Sequence, residues 1–104
     1  MARSDGSDEP CDISGPGWCH GTIKGVTQHL DYIQGMGFEC IWITPVLKQL
    51  EGPDPDGVSG HANYGYWAYN WYAIDEHFGT RADLLELSAE LHRRGMCFVY
   101  DMVV

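Results

Sequence analysis

Basic residues are scarce in this chain. Six Lys and Arg stand against 15 Asp and Glu, which gives a formal net charge of −9 over 104 residues. Proteins that bind nucleic acid contact its phosphates through clustered Lys and Arg. The charge balance therefore argues against a nucleic-acid partner.

Long apolar runs are missing as well. No stretch approaches the roughly 20 apolar residues that a membrane-spanning helix needs, so no membrane partner is predicted. The first ten residues, "MARSDGSDEP", lack the apolar core of a secretory signal, and we expect no signal peptide in this chain. Low hydrophobicity combined with dense charge, which is typical of disorder, is also absent. The sequence therefore predicts that the chain is one small globular domain or a piece of a larger one.

Cysteine is limited to four residues in two different contexts. Cys11 and Cys19 bound the Gly/Pro-rich segment "CDISGPGWC", with seven residues between them. That spacing favours a small disulfide loop over free thiols, and a metal site would want more Cys or His nearby. Cys40 and Cys97 lie inside apolar runs, and they are predicted to be buried and reduced.

The order of helical and strand signals indicates an α/β fold. Apolar residues at helical spacing predict helices from Thr22 to Gly35 and from Thr80 to Arg94, and Thr80 with Asp83 matches a capping box. Two compact runs of β-forming residues, "FECIWITPV" and "MCFVYDMVV", predict buried strands. Between them, "LKQLEGPDPDGVSGHAN" predicts a long surface loop. Strands joined across helices should be parallel, and a parallel sheet needs more than two strands, so we expect an incomplete sheet.

Two features of the sequence suggest a ligand site without deciding it. Six of the nine residues from Tyr64 to Tyr72 are aromatic, which favours either a core or a platform for a flat, partly apolar ligand. Asp101 interrupts the last apolar strand, where a lone buried carboxylate is costly. It is either an exposed strand-end residue or a carboxylate at the C-terminal end of a barrel strand, where such barrels carry their active sites.

Several segments together resemble the α-amylases of glycoside hydrolase family 13, and above all secreted fungal enzymes of the Taka-amylase type. In chain order they are "LDYIQGMGFECIWITPV", "YGYW", "HFGTRADL", "LHRRGM" and "DMVV". The resemblance runs from about Arg3 to Val104. It implies a partial (β/α)8 TIM barrel, with residues 1–104 as the incomplete N-terminal part of the catalytic domain. The implied barrel elements are a first helix Thr22 to Gly35, second strand Phe38 to Ile43, second helix Thr80 to Arg94 and third strand Met96 to Val103.

The resemblance also implies an activity. Family members of this type hydrolyse internal α-1,4-glucosidic bonds of starch, glycogen and malto-oligosaccharides with retention, and they are extracellular. Related α-glucosidases and glucanotransferases, and a truncated product that only binds glucans, are the alternatives. Retaining glycosidases need a pair of carboxyl groups about 5–5.5 Å apart. The family takes these from later strands, so no catalytic residue is assigned here and the chain alone is expected to be inactive.

Individual residues take roles from the same resemblance. A Tyr at the position of Tyr66 stacks on a sugar ring, and Trp67 lines the same cleft or buttresses it. Tyr64 stands where the fungal pattern commonly has His, and it is the third candidate for substrate binding. The rings farther along the stretch, Tyr69, Trp71 and Tyr72, are assigned to packing.

The remaining implied roles are structural. Asp101 matches an Asp of the family's first conserved region, which supports and orients the active site without being a catalytic carboxylate. The Cys11–Cys19 spacing agrees with a disulfide loop of the fungal enzymes. The family binds calcium, but its ligands lie largely outside this chain, so no metal ligand is assigned.

Overall fold

The computed structural model describes residues 19–50 and 65–103. Within these ranges no helix has the length and apolar character needed to cross a membrane. The described elements, in chain order, are α1 (Ile23–Gln28), α2 (Leu30–Gly35), β1 (Cys40–Ile43), β2 (Leu47–Gln49), β3 (Ala68–Ile74), α3 (Arg81–Arg93) and β4 (Cys97–Tyr100).

A threonine caps the start of α1 and of α3. The Thr22 hydroxyl accepts a hydrogen bond from the Gly25 N–H at 2.9 Å and begins α1. At α3 the predicted capping box is confirmed, because the Thr80 hydroxyl accepts from the Asp83 N–H while the Asp83 carboxylate accepts from the Thr80 N–H. The predicted first helix is divided into α1 and α2 at His29, whose ring nitrogen lies 2.8 Å from the Gly25 carbonyl oxygen.

The predicted parallel strands pair with each other. β1 and β4 are parallel neighbours, and their register sets Cys40 opposite Cys97 and Trp42 opposite Val99. Alternation along β1 buries Ile41 and Ile43 on one face. That face joins a single core cluster with the helices, whose buried members are Ile23, Val26, Leu30, Ile41, Ile43, Val46, Phe78, Leu87, Leu91 and Met96. The opposite face, which we name the open face (Cys40, Trp42, Cys97 and Val99), is exposed.

The segment after β1 differs from the prediction. Residues Leu47–Gln49 were expected to begin a surface loop, but they form β2, which pairs antiparallel with β3. The predicted loop is therefore wrong at its start, and residues 51–64 lie outside the described part of the chain. β2 is only three residues long and depends on a partner strand far along the sequence, so local turn composition hides it.

The prediction for the second pair of cysteines is also wrong. Cys40 and Cys97 are exposed and joined by a disulfide, with 4.4 Å between their Cα atoms. The cause is register, because neighbouring parallel strands place the two residues directly opposite each other. Cys19 is disulfide-bonded too, whereas Cys11 lies outside the described residues, so the Cys11–Cys19 pairing stays a prediction.

Peptide mapping of oxidised, unreduced material is expected to find Cys40 and Cys97 in one linked peptide pair. The link spans 57 positions of sequence, and a loop of that length corresponds to about 4 kcal/mol of stabilisation through the unfolded state. The Cys40→Ser/Cys97→Ser variant is the control and should lose the linked pair. Recovery of both thiols as alkylated, unlinked peptides from oxidised protein would contradict the prediction.

Candidate functional site

Asp101 lies at the carboxyl end of the parallel sheet. Its backbone N–H donates to the carbonyl oxygen of Ile43, the last residue of β1, at 3.2 Å. Because β1 and β4 run in the same direction, this contact places Asp101 at the C-terminal edge of both strands. Its side chain is partly buried. The position is the one at which barrel enzymes carry functional side chains.

Tyr66 meets Asp101 at this edge. Its hydroxyl donates to Oδ2 of Asp101 at 2.5 Å, although the two residues are 35 positions apart. The hydrogen bond to Asp101, helped by burial and by the carboxylate charge, raises the pKa of Tyr66 above the ordinary 10.0. The side chain is nevertheless 45% exposed. The ring is thus fixed at its hydroxyl end while much of it faces solvent.

Gly65 brings Tyr66 to this position. Its φ is +87°, a region that L side chains rarely adopt. A Cβ built on Gly65 would lie 1.9 Å from the carbonyl oxygen of Pro45, in the segment that leaves β1. Only a glycine allows the chain to pass this close to Pro45, so the close approach sets where the following Tyr66 side chain begins.

A buried polar network holds the next residue. The Trp67 N–H donates to Oε1 of Gln49 at 2.6 Å, and the Trp67 carbonyl accepts from the Leu50 N–H at 3.0 Å. The Gln49 N–H in turn donates to Oδ2 of Asp75 at 2.9 Å. Gln49 and Asp75 are each only 4% exposed. The start of β3 is therefore attached to β2 through a side chain as well as through backbone hydrogen bonds.

Both oxygens of the Asp75 carboxylate accept hydrogen bonds. Its Oδ1 accepts from the backbone N–H of His77 at 2.9 Å and from Nδ1 of the same residue at 2.7 Å. Burial by itself would raise the pKa of Asp75, but the hydrogen bonds from Gln49 and His77 outweigh it and lower that pKa below 3.8. The lowered pKa of Asp75 stabilises the folded protein at every pH above the pKa that Asp75 has in the unfolded chain. This stabilisation is lost as the pH falls through the lower pKa of the folded state.

A small cleft of about 140 Å³ adjoins Tyr66. Trp71, which was assigned to packing, contributes to it, whereas the half-buried Trp67 is not among its described lining residues. The lining is mostly apolar and consists of Pro45, Leu47, Gly65, Tyr66, Ala68, Trp71 and Val103. Aromatic walls with one polar anchor suit a ligand that has an apolar face and polar edges.

Comparison with known proteins decides the family. The sequence model described as "Alpha amylase, catalytic domain" matches residues 1–104. The chain belongs to the alpha-amylase catalytic-domain family. Alpha-amylase 2 of Schwanniomyces occidentalis is 48% identical over 104 residues, which cover 99% of this chain and 20% of that protein.

Solved alpha-amylases share the fold. An alpha-amylase from Malbranchea cinnamomea superposes with a TM-score of 0.85 at 47% identity, over 97% of this chain and 21% of that one. An alpha-amylase from Geobacillus thermoleovorans, solved in complex with acarbose, gives a TM-score of 0.73 at 40% identity, over 92% and 19% of the two chains. The predicted partial (β/α)8 barrel is confirmed, and the chain spans about a fifth of the length of the S. occidentalis relative and of the M. cinnamomea structure.

Within this member of the family the predicted site residues have different outcomes. Tyr66 and Asp101 are brought together, Trp67 follows Tyr66 with its backbone bonded to Gln49 and Leu50, and Tyr64 lies outside the described residues. No observation tests the roles assigned to these four residues, so they stay predictions.

The packing assigned to the other rings is not seen within the described residues. Tyr69 and Trp71 are exposed, and Tyr72 is 101% exposed. The three residues lie in β3, whose single described neighbour is the short β2, so the described part of the chain offers little to cover them. Tyr69 and Trp71 alternate with Ala68 and Asn70 and so share one face of β3, whereas Tyr72 lies on the other face.

Three residues that shape the site carry no sequence signal, namely Gly65, Gln49 and Asp75. Their contacts join residues 18 to 26 positions apart, and no local motif marks them. No three or more His, Cys, Asp and Glu side chains in residues 19–50 and 65–103 are grouped to hold a metal. The described residues therefore do not fit a calcium site.

Proposed function

We propose that this chain is the N-terminal part of the catalytic barrel of an extracellular α-amylase that hydrolyses internal α-1,4-glucosidic bonds of starch and glycogen with retention. The observation that carries the proposal is the Tyr66–Asp101 contact, which presents an exposed aromatic ring at the carboxyl end of the β1–β4 pair. Family membership over residues 1–104 supports the reaction class. Disulfides at Cys40–Cys97 and at Cys19 support an oxidising, extracellular location.

Tyr66 supplies the sugar platform in this proposal. The C–H groups on one face of a glucose ring are apolar and pack against an aromatic ring, while the hydroxyl groups remain available for hydrogen bonds. The hydrogen bond to Asp101 restricts rotation of the Tyr66 side chain, so little conformational entropy is lost when glucan binds. The cleft beside Tyr66, with Trp71 and Val103 in its lining, extends the apolar surface along the glucan.

Asp101 acts through Tyr66 and through the strand end it occupies. Its carboxylate accepts the phenol hydrogen bond, and its backbone is tied to β1. The two carboxyl groups of the retaining reaction come from the remaining part of the barrel. The contribution of this chain is to bind and orient the glucan.

The test uses a grafted domain, in which residues 1–104 replace the corresponding fifth of the S. occidentalis alpha-amylase 2. In this domain Tyr66→Ala is expected to lower kcat/KM on malto-oligosaccharides about 10- to 100-fold, because burial of an aromatic side chain against ligand contributes roughly 1.5–3 kcal/mol. Tyr66→Phe keeps the ring and loses only the contact with Asp101, so its loss should be smaller. Reducing-sugar kinetics measures both.

Tyr72→Ala is the matched control. Tyr72 belongs to the same aromatic stretch but does not line the cleft beside Tyr66, and its removal should leave kcat/KM unchanged. A Tyr66→Ala variant as active as its parent, or a Tyr72→Ala variant equally impaired, would contradict the role proposed for Tyr66.

A further inference from the structure

We propose that Gln49 is a positioning residue, whose buried carboxamide holds the start of β3 and thereby sets Tyr66 against Asp101. The inference rests on the function proposed above. It adds a residue that does not itself line the cleft beside Tyr66 and that acts through the backbone of Leu47 and Trp67.

Both ends of the Gln49 carboxamide are in use. Oε1 accepts from the Trp67 N–H at 2.6 Å, and Nε2 donates to the Leu47 carbonyl at 2.6 Å. The side chain is therefore a bridge between the backbone of β2 and the residue that precedes β3. Rotation of the amide would break both hydrogen bonds inside a site that is 4% exposed, where unpaired polar groups are costly.

The backbone of Gln49 is fixed as well. Its N–H donates to the buried Asp75 carboxylate at 2.9 Å, and the Asp75 N–H donates to the Val46 carbonyl at 2.9 Å. A carboxylate acceptor makes a stronger hydrogen bond than a neutral one. The backbone of Gln49 is thus held in place, and its side chain extends from there to the Trp67 N–H.

The irregular pairing of β2 with β3 gives the Gln49 side chain a role in fixing the register of the two strands. The pairing of Leu47, Lys48 and Gln49 with β3 is irregular, with register shifts on both sides of Lys48. At such irregularities the ladder is locally disrupted, so fewer backbone hydrogen bonds fix its register, and a slip by one residue turns side chains to the opposite face. Because Trp67 donates to a side chain, Gln49 selects the register that directs the neighbouring Tyr66 toward Asp101.

The grafted domain tests this assignment with Gln49→Met, which keeps the length of the side chain and removes both hydrogen bonds. We expect KM for maltoheptaose to rise about five- to tenfold while kcat stays within about twofold of the parent, as for loss of uniform binding. A purely structural role would instead reduce the active fraction, which lowers kcat without changing KM. Gln28→Met is the matched control, because Gln28 is exposed at the end of α1 and the same substitution should change neither constant.

A second readout does not require activity. In ¹³C-tyrosine NMR spectra, assigned by comparison with Tyr66→Phe, Tyr66 of the parent should titrate above its ordinary value, and Gln49→Met should return it toward that value. If the parent domain is inactive but Tyr66 responds in this way, the proposed function fails and the positioning role stands. Unchanged KM together with unchanged Tyr66 titration overturns the positioning role.

Gln49→Asn covers the case in which Gln49→Met does not fold. Its neutral carboxamide is one methylene shorter and cannot reach both the Trp67 N–H and the Leu47 carbonyl, so KM should rise about two- to threefold with kcat retained. A Gln49→Asn domain with the KM of the parent would overturn the proposal.

Discussion

Residues 1–104 on their own are expected to release no reducing sugar from starch and to show no sharp thermal unfolding transition. No catalytic carboxylate is assigned in the chain. Its parallel sheet has two described strands, β1 and β4, whereas closure of a barrel requires eight. The open face presents Trp42, 71% exposed, to solvent, together with Val99. Exposed apolar surface and unpaired strand edges favour association between chains.

Two measurements on the purified chain check this expectation. A reducing-sugar assay should remain at background, and size-exclusion chromatography should show aggregates or a molten species. Starch turnover that disappears in Asp101→Asn would overturn the assignment of roles. A soluble monomer with a cooperative transition would show that the fragment is an independent domain and would favour a glucan-binding module.

Gly65→Ala is expected to produce the largest loss of any single substitution in the described part of the site. The new Cβ would lie 1.9 Å from the Pro45 carbonyl oxygen, and the φ of +87° is strained for any L residue. Strain of this kind costs about 1–3 kcal/mol, and the clash with backbone adds to it. Since Gly65 precedes Tyr66, the displaced chain should also lower glucan affinity at least about tenfold, which is 1.4 kcal/mol.

Two matched glycine substitutions in the grafted domain separate the effect of backbone strain from the effect of the clash with Pro45. Gly37 has a φ of +90° but no atom within 4 Å of a built Cβ, so Gly37→Ala reports backbone strain alone. Gly35 has neither constraint, so Gly35→Ala should be nearly neutral. Thermal stability should fall in the order Gly35→Ala, Gly37→Ala, Gly65→Ala, and glucan affinity should fall only in the last. Equal effects of Gly37→Ala and Gly65→Ala would contradict a role for the Pro45 contact.

Features that depend on neighbouring residues could be read from the sequence. The capping box of α3 lies within four residues, and the apolar spacing of Leu87 and Leu91 matches their burial in the core. The parallel pairing of β1 with β4 follows from the helix between them, which requires a crossover connection. The confirmed part of the fold is therefore the part in which local pattern and chain order are sufficient.

Features that depend on distant contacts could not be read in the same way. The Cys40–Cys97 disulfide needs the register of two strands, and the β2–β3 pairing joins segments separated by about 20 positions. The resemblance named Tyr66 and Asp101 separately, but their hydrogen bond depends on the approach of Gly65 to Pro45. The Gln49 network has no sequence signal, because one glutamine beside a turn-rich segment is indistinguishable from a surface residue.

The most direct test of the account is a crystal structure of the grafted domain with a bound malto-oligosaccharide. The account predicts a glucose ring stacked on the exposed face of Tyr66, with the Tyr66 hydroxyl still within hydrogen-bond distance of Asp101 and the Trp67 N–H on Gln49. A glucan bound in the barrel with no sugar in contact with Tyr66, or a Tyr66 turned away from Asp101, would contradict it.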